Sequence, residues 1–260
     1  MKRKQLTDFL DQYFGKELIE KAEKIDEKNA NGLQIKGAEE VTGAAFGVSA
    51  NLDFFKQARE KDCNFLVVHH GMRFHDLGLY INKIHKQRLK FLFDNQMSLS
   101  GYHFILDHHP EIGNNAQILK KLGAEKIDNF MDEWGWIGRL GKTQSIENIM
   151  QKAEDVFGRK PLAEFSAGSK KIKKIAVVSG GAALHSTGEE IKRILNEDID
   201  LYITGEARES TQAMCEEGGI NYFAFGHYDT EIFGVKALRK VIQKEFPALK
   251  TEFIKIANPL

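Results

Sequence analysis

The chain has 260 residues, of which 42% are hydrophobic and 28% charged, so it is long enough to bury a substantial core in one large domain or two ordinary ones. Lys plus Arg total 37 and Asp plus Glu total 37, which leaves no net field to draw the chain to nucleic acid or to an anionic membrane. No nucleic acid and no membrane is therefore expected as a partner.

Apolar residues at helical spacing, with Leu6, Phe9, Leu10, Tyr13 and Phe14 on one face, predict a helix over 6–24. Asn31-Gly32-Leu33-Gln34 reads as a turn followed by a short strand. Strands and helices then alternate. Strands are expected over 41–49, 65–68 and 98–102, and helices over 52–61, 83–95 and 114–122. The second half repeats the order, with strands over 174–179, 200–204 and 222–225. Its helices are expected over 187–196, 209–217 and 233–246. Alternation of this kind predicts an α/β fold with a parallel or mixed sheet in each half. The expected division is 1–126 and 127–260, two structurally related α/β halves from an internal duplication. Residues 127–167 form the connection and carry Trp134 and Trp136. With Phe130, these aromatics and the N-terminal helix are the expected contacts between subunits.

One pattern occurs twice at a strand end. His103 is followed four residues on by Asp107, and His227 is followed four residues on by Glu231. A third strand runs into His69-His70-Gly71. Imidazoles and carboxylates gathered at strand ends are what borderline divalent cations bind. Ligands of open α/β sheets also sit at the carboxyl ends of strands. Neighbouring histidines on a strand point in different directions, and a carboxylate can bridge, so the six residues suggest two cations. His75, His85 and His185 have no such support, and His108 and His109 adjoin the site without an assigned role.

Other chemistry has no signal. The chain has no phosphate loop of the Gly-x-x-x-x-Gly-Lys kind and no nucleophile elbow. Ser179-Gly180-Gly181 is read as a tight turn in preference to a phosphate cradle. Lys170, Lys171, Lys173 and Lys174 read as a solvated lead into a strand. Cys63 and Cys215 stand alone and read as packing residues. The N-terminus is basic, with no apolar run long enough for a signal peptide or a span, so a cytoplasmic location is expected.

With these residues in hand, the chain resembles the GTP cyclohydrolase 1 type 2 homologue family, also called the NIF-three-like proteins. The likeness runs through Asn31-Gly32-Leu33-Gln34, Val68-His69-His70-Gly71 and the motif from Asp107-His108-His109-Pro110 to Asn115. It continues through Thr204-Gly205-Glu206, the motif from Gly226-His227 to Glu231, and Ala257-Asn258-Pro259. The resemblance implies two related α/β halves around a dinuclear metal site, assembled as a ring-like homohexamer. It implies His69, His70, Asp107, His227 and Glu231 as ligands, with His103 close by as a ligand or an outer group. The cofactors would be two divalent cations per chain, drawn from Zn, Mn, Fe, Co or Ni. The implied activity is metal-dependent hydrolysis, opening the purine ring of GTP with water, in which Glu206 or His103 moves the proton. The alternative is a non-catalytic protein that holds a metal or cofactor and acts through a partner.

Overall fold

The computed structural model describes residues 1–77, 80–186 and 188–260. They form two compact units, the first comprising Met1–Leu106 and Gly234–Ala257, the second Asp107–Phe233 and Asn258–Leu260. These units differ from the expected halves. Residue 126 lies inside a strand of the second unit, and residues 234–257 return to the first because the last strand pairs on the first sheet.

The chain opens with α1 (Arg3–Phe14) and α2 (Lys16–Ile25), where the apolar spacing predicts a single helix. Gly15 separates them. Its φ of +75° lies in a region that residues with a Cβ resist, and its N–H closes α1 on the Asp11 carbonyl. Leu6, Leu10 and Phe14 recur once per turn and are buried. There follow β1 (Asn31–Ile35), β2 (Gly43–Ser49), α3 (Leu52–Glu60), β3 (Phe65–His70), α4 (Lys83–Asp94), β4 (Ser98–Tyr102) and α5 (His103–His108). Asn51 and Asn82 cap α3 and α4, each accepting from the backbone N–H three residues on.

The chain continues with α6 (Asn114–Leu122), β5 (Ala124–Phe130), β6 (Gly135–Ser145), α7 (Ile146–Phe157), β7 (Ala163–Ser166) and β8 (Lys171–Val178). Next come α8 (Glu189–Asn196), β9 (Leu201–Thr204), α9 (Thr211–Gly218), β10 (Asn221–Ala224) and α10 (His227–Thr230). The start expected for α8, Thr187, lies outside the described residues. Finally α11 (Ile232–Glu245) leads to β11 (Lys250–Phe253).

The first sheet has the order β1-β4-β3-β2-β11 and the second β5-β6-β8-β9-β10-β7. In the first, β2, β3 and β4 are parallel neighbours in chain order, and the earlier β1 lies antiparallel on β4. In the second, β8, β9 and β10 repeat that arrangement, with the earlier β7 antiparallel on β10. A short helix that begins with histidine follows the third strand each time, α5 after β4 and α10 after β10. This shared topology is the duplication expected from the sequence. The units differ beyond it, with β11 parallel to β2 in one and β6 antiparallel to β8 in the other.

Each unit has its own core. The first buries Phe54, Phe55, Leu66, Val68, Met97 and Leu99, and the second Phe130, Ile137, Tyr202 and Tyr222. Side chains of this size stabilise the fold by about 1.5–3 kcal/mol each when fully buried. Phe130 is completely buried in the second core and Trp136 nearly so, its Nε1 donating to the His108 carbonyl at 3.0 Å. They pack inside one unit and are not surface contacts, which corrects the expected role of these two aromatics. Of the lysines around the start of β8, Lys170 and Lys173 donate to the Ser166 and Gly141 carbonyls and Lys174 to that of Glu197. Among the described residues no helix is long and apolar enough to cross a membrane.

Candidate metal centre

The first unit contributes three imidazoles. β3 runs to its end through His69, fully buried, and His70, partly exposed. His103 follows β4 as the first residue of α5. The His69 ring lies 4.6 Å from that of His70 and 4.8 Å from that of His103, centroid to centroid. One ring nitrogen of each histidine lies within 4.8 Å of the other two. Adjacent strand residues are expected to diverge, yet at this strand end the two rings stay close.

Each imidazole is held at Nδ1. His69 Nδ1 is 3.1 Å from the Tyr102 carbonyl, His70 Nδ1 is 3.0 Å from Ser49 Oγ, and His103 Nδ1 is 2.7 Å from Asp26 Oδ2. A carbonyl only accepts, so His69 carries its proton on Nδ1 and a lone pair on Nε2. The Asp26 carboxylate imposes the same tautomer on His103. Burial works to raise the Asp26 pKa, but hydrogen bonds from His103, Asn29 and the Phe104 N–H, with the charge of His103, hold it below the usual value. Asn31-Gly32-Leu33-Gln34, expected to begin as a turn, lies wholly in β1 and serves this cluster. Asn31 Oδ1 accepts from the Ile105 N–H, and Gln34 both accepts from the Met72 N–H and donates to its carbonyl. A Cβ on Gly71 would stand 2.3 Å from Gln34 Oε1, so glycine is required where this clamp closes.

The second unit contributes carboxylates and one imidazole. His227 opens α10, with Nδ1 2.6 Å from Glu206 Oε1 and Nε2 3.2 Å from Glu231 Oε1. Burial disfavours a charged His227, but the flanking Glu231 and Glu206 outweigh it and raise its pKa to about 9. Glu206 follows β9 and is anchored through its carbonyl by the Tyr222 hydroxyl. Asp107 is buried, and its Oδ1 accepts from Asn114 Nδ2 at 3.0 Å and from Ser179 Oγ at 2.8 Å, which sets the plane of the carboxylate. Oxygens of Asp107 and Glu231 lie within 4.8 Å of one another.

Gly180 makes room for this set. Its φ is +69°, and a Cβ there would stand 2.2 Å from Glu231 Oε1 and 3.2 Å from His227 Nε2. The donors of both units are imidazole nitrogens and carboxylate oxygens, the set that first-row divalent cations take, so these residues fit a metal. The same turn does not form a phosphate cradle. The Ser179 N–H donates to Asn115 Oδ1 and the Gly180 N–H to Thr230 Oγ1.

The predicted site residues thus fall into two sets, His69, His70 and His103 in the first unit and Glu206, Asp107, His227 and Glu231 in the second. His85 caps into Asn82 on α4, and His185 meets Arg208. His108 stacks on Trp136 and bonds the Glu133 carbonyl through Nδ1, a packing role. His109 Nδ1 accepts from the N–H groups of Glu111 and Ile112, and burial lowers its pKa to about 4. It holds a turn as a neutral ring. Sequence reading missed Asp26 and Ser49, and it gave no supporting role to Asn114, Asn115 and Ser179 although they lie in segments that it singled out. Asp26 lies in a Lys- and Glu-rich stretch 77 residues before its partner, and no periodicity or motif marks it.

The chain as a whole also matches known proteins. The sequence profile of Duf34/NIF3 (NGG1p interacting factor 3) matches residues 1–259. The chain belongs to this family. A protein of Pyrococcus abyssi named "GTP cyclohydrolase 1 type 2 homolog" is 35% identical over 260 residues, covering 98% of each chain. One of the same name from Archaeoglobus fulgidus is 35% identical over 234 residues, covering 88% of this chain and 90% of that one. The solved structure of protein ybgI, described as of unknown function, matches over 100% of both chains with a TM-score of 0.87 and 30% identity. Membership of the Duf34/NIF3 family agrees with the resemblance carried by the sequence motifs.

Proposed function

We propose that this protein is a dinuclear metal-dependent hydrolase. In this reading His69, His70, Asp107, His227 and Glu231 are the ligands of two divalent cations, and His103 and Glu206 move protons. The observation that carries it is the grip on Nδ1 of every imidazole in the set, by Tyr102, Ser49, Asp26 and Glu206. Ligating histidines are oriented through their second nitrogen in this way, which directs Nε2 to the metal. Bound divalent cations would supply Lewis acidity, polarising the substrate and bringing the pKa of water down to about 7.

The chain's own residues do the rest. Ser179 and Asn114 fix the plane of Asp107, while the bare Cα of Gly180 leaves Glu231 and His227 their room. Glu206 is half exposed and bonded to His227, so it can exchange a proton with solvent. The name borne by the relatives directs the substrate reading to the purine ring of GTP, opened by water at C8 with loss of formate. The ring-like homohexamer belongs to the same proposal. One observation favours the alternative, a non-catalytic protein that holds a metal or cofactor for a partner. The amides of Ser179 and Gly180 are engaged within the protein and offer no grip on a triphosphate.

The test is reconstitution of the metal-free protein with Mn, Fe, Co, Ni or Zn, followed by incubation with GTP and assay of formate. Metal-dependent formate that disappears in Asp107→Asn is the expected result. A metal-loaded protein that leaves GTP intact transfers the function to the binding alternative.

A further inference from the structure

β8 and β9 are parallel neighbours in the second unit, and ligands of such sheets bind at the carboxyl ends of the strands. His185 lies in the loop after β8 and Arg208 in the loop after β9, and both side chains are exposed. Arg208 Nη1 stands 3.1 Å from His185 Nδ1. A guanidinium only donates, so His185 accepts at Nδ1, is neutral and carries its proton on Nε2. This contact uses one of the five N–H donors of the guanidinium. Among the described residues no carboxylate pairs with Arg208, whereas Arg159 pairs with Asp229 and Arg193 with Asp128 and Glu197. An arginine that only ties segments together meets carbonyls, as Arg3 does at Gly37 and Ala38. Arg208 instead spends one N–H on a neutral ring and leaves the rest, beside the Nε2–H of His185, to solvent.

Both loops are held from within the unit. The His185 N–H donates to Glu190 Oε1 at 3.1 Å, and the Arg208 N–H to Thr211 Oγ1 at 2.8 Å. The fully buried Tyr202 donates from its hydroxyl to the Ala182 carbonyl at 2.7 Å, and Tyr222 from its hydroxyl to the Glu206 carbonyl. Donors placed in advance in this way lose little freedom when an anion arrives.

We propose that Arg208 and His185 form a receptor for a phosphate group of the substrate, Arg208 through its fork of N–H groups and His185 through Nε2–H. Donors from two side chains suit the three acceptor oxygens of a phosphate better than the two of a carboxylate. Taking the phosphate to be the substrate's rests on the hydrolase reading, and the substrate is then a phosphorylated small molecule. These side chains supply the grip that the engaged amides of Ser179 and Gly180 do not. Glu206, the proposed proton carrier bonded to His227, stands two residues before Arg208 on the same loop.

The test is a titration of the full chain, 15N-labelled at arginine and histidine, with inorganic phosphate and in parallel with acetate. The protein is kept metal-free so that no cation takes up the anion. The arginine Nε–H and histidine ring signals are followed, and Arg208→Gln and His185→Gln assign them. Wild-type His185 is expected as the Nε2–H tautomer, and phosphate is expected to shift its signals and those of Arg208 along one saturable curve. Arg208→Gln should weaken phosphate binding by on the order of tenfold or more, the loss expected for a charge-assisted pair. Arg208→Lys, which keeps the charge without the fork, should weaken it as well. Phosphate that leaves both wild-type signals in place overturns the proposal, and so does equal affinity in Arg208→Gln. Acetate bound as tightly as phosphate overturns the choice of phosphate. In the zinc-loaded protein Arg208→Gln should raise the KM for GTP more than it lowers kcat, and an unchanged KM would detach the receptor from the substrate. A zinc-loaded wild type that leaves GTP intact sinks the hydrolase reading, a failure visible apart from the metal-free titration, which decides the receptor by itself.

Discussion

Gly180 is the position where one added methyl group interrogates the site most sharply. In Gly180→Ala the new Cβ would meet Glu231 Oε1 at 2.2 Å, and the backbone would stay at a φ of +69°. The strain is worth about 1 kcal/mol, a modest fall in melting temperature. Metal affinity should fall by on the order of tenfold or more, as when the surroundings of a ligand are disturbed. Calorimetric titration with zinc reads one effect and thermal melting the other, and unchanged affinity would remove Gly180 from the site. Glu231→Ala should likewise lose metal where His85→Ala does not, since His85 is occupied with Asn82 on another helix. The buried thiols give a second residue-level expectation. Burial pushes Cys63 up to about 11 and Cys215 to about 12 from an ordinary 9.0. At pH 8 only about one Cys63 in a thousand is a thiolate, so iodoacetamide should leave both native thiols unmodified. The folded state favours the neutral thiols, so their contribution to stability is complete below pH 9 and declines as pH rises through 11. Replacing both by alanine should flatten that part of the stability–pH curve. The candidate ligands were legible as a pattern because two copies of a histidine-and-carboxylate spacing sit at strand ends. Their supports were not, because Ser179 reaches Asp107 across 72 residues of sequence and Asp26 reaches His103 across 77.

The elements that were read came within a few residues of their bounds, but 127–167, expected as a connection, holds β6, α7 and β7 within the second unit. The error at the N-terminus has a single cause. The apolar face continues in phase from Phe14 to Leu18, and only the backbone of Gly15 reveals that the helix breaks between them. Gly15→Ala should therefore destabilise by about 1 kcal/mol in urea unfolding, with no effect on metal uptake. α6 supports the site by a different route. Asn115 donates to the Asp107 and Trp134 carbonyls and accepts from the Ser179 N–H, so one side chain joins α6 to the ends of α5 and β8. Asn115→Ala would leave these buried groups unpaired at about 1–3 kcal/mol each, and urea unfolding should show a loss at the upper end of the single-substitution range. A variant within about 0.5 kcal/mol of wild type would mean that water replaces the amide.

Across the whole molecule, the duplication was legible and the partition was not. Element order repeats in the sequence, but the edge on which a strand pairs does not appear in its composition. β11 is four residues of ordinary strand pattern, and its pairing with β2 assigns residues 234–257 to the first unit. Burial of Phe130 and Trp136 likewise follows from the second core, where their aromatic character alone suggested an interface. Light scattering at micromolar concentration checks the proposed assembly. A hexameric mass supports it, and a strictly monomeric one counts against it. The central claim is that the imidazoles and carboxylates exist to hold metal, and metal content measured on the purified protein tests it most directly. Elemental analysis after saturation with zinc and removal of the excess should find about two ions per chain, as a two-metal hydrolytic site requires. No retained metal, together with calorimetry that shows no uptake, would contradict the account.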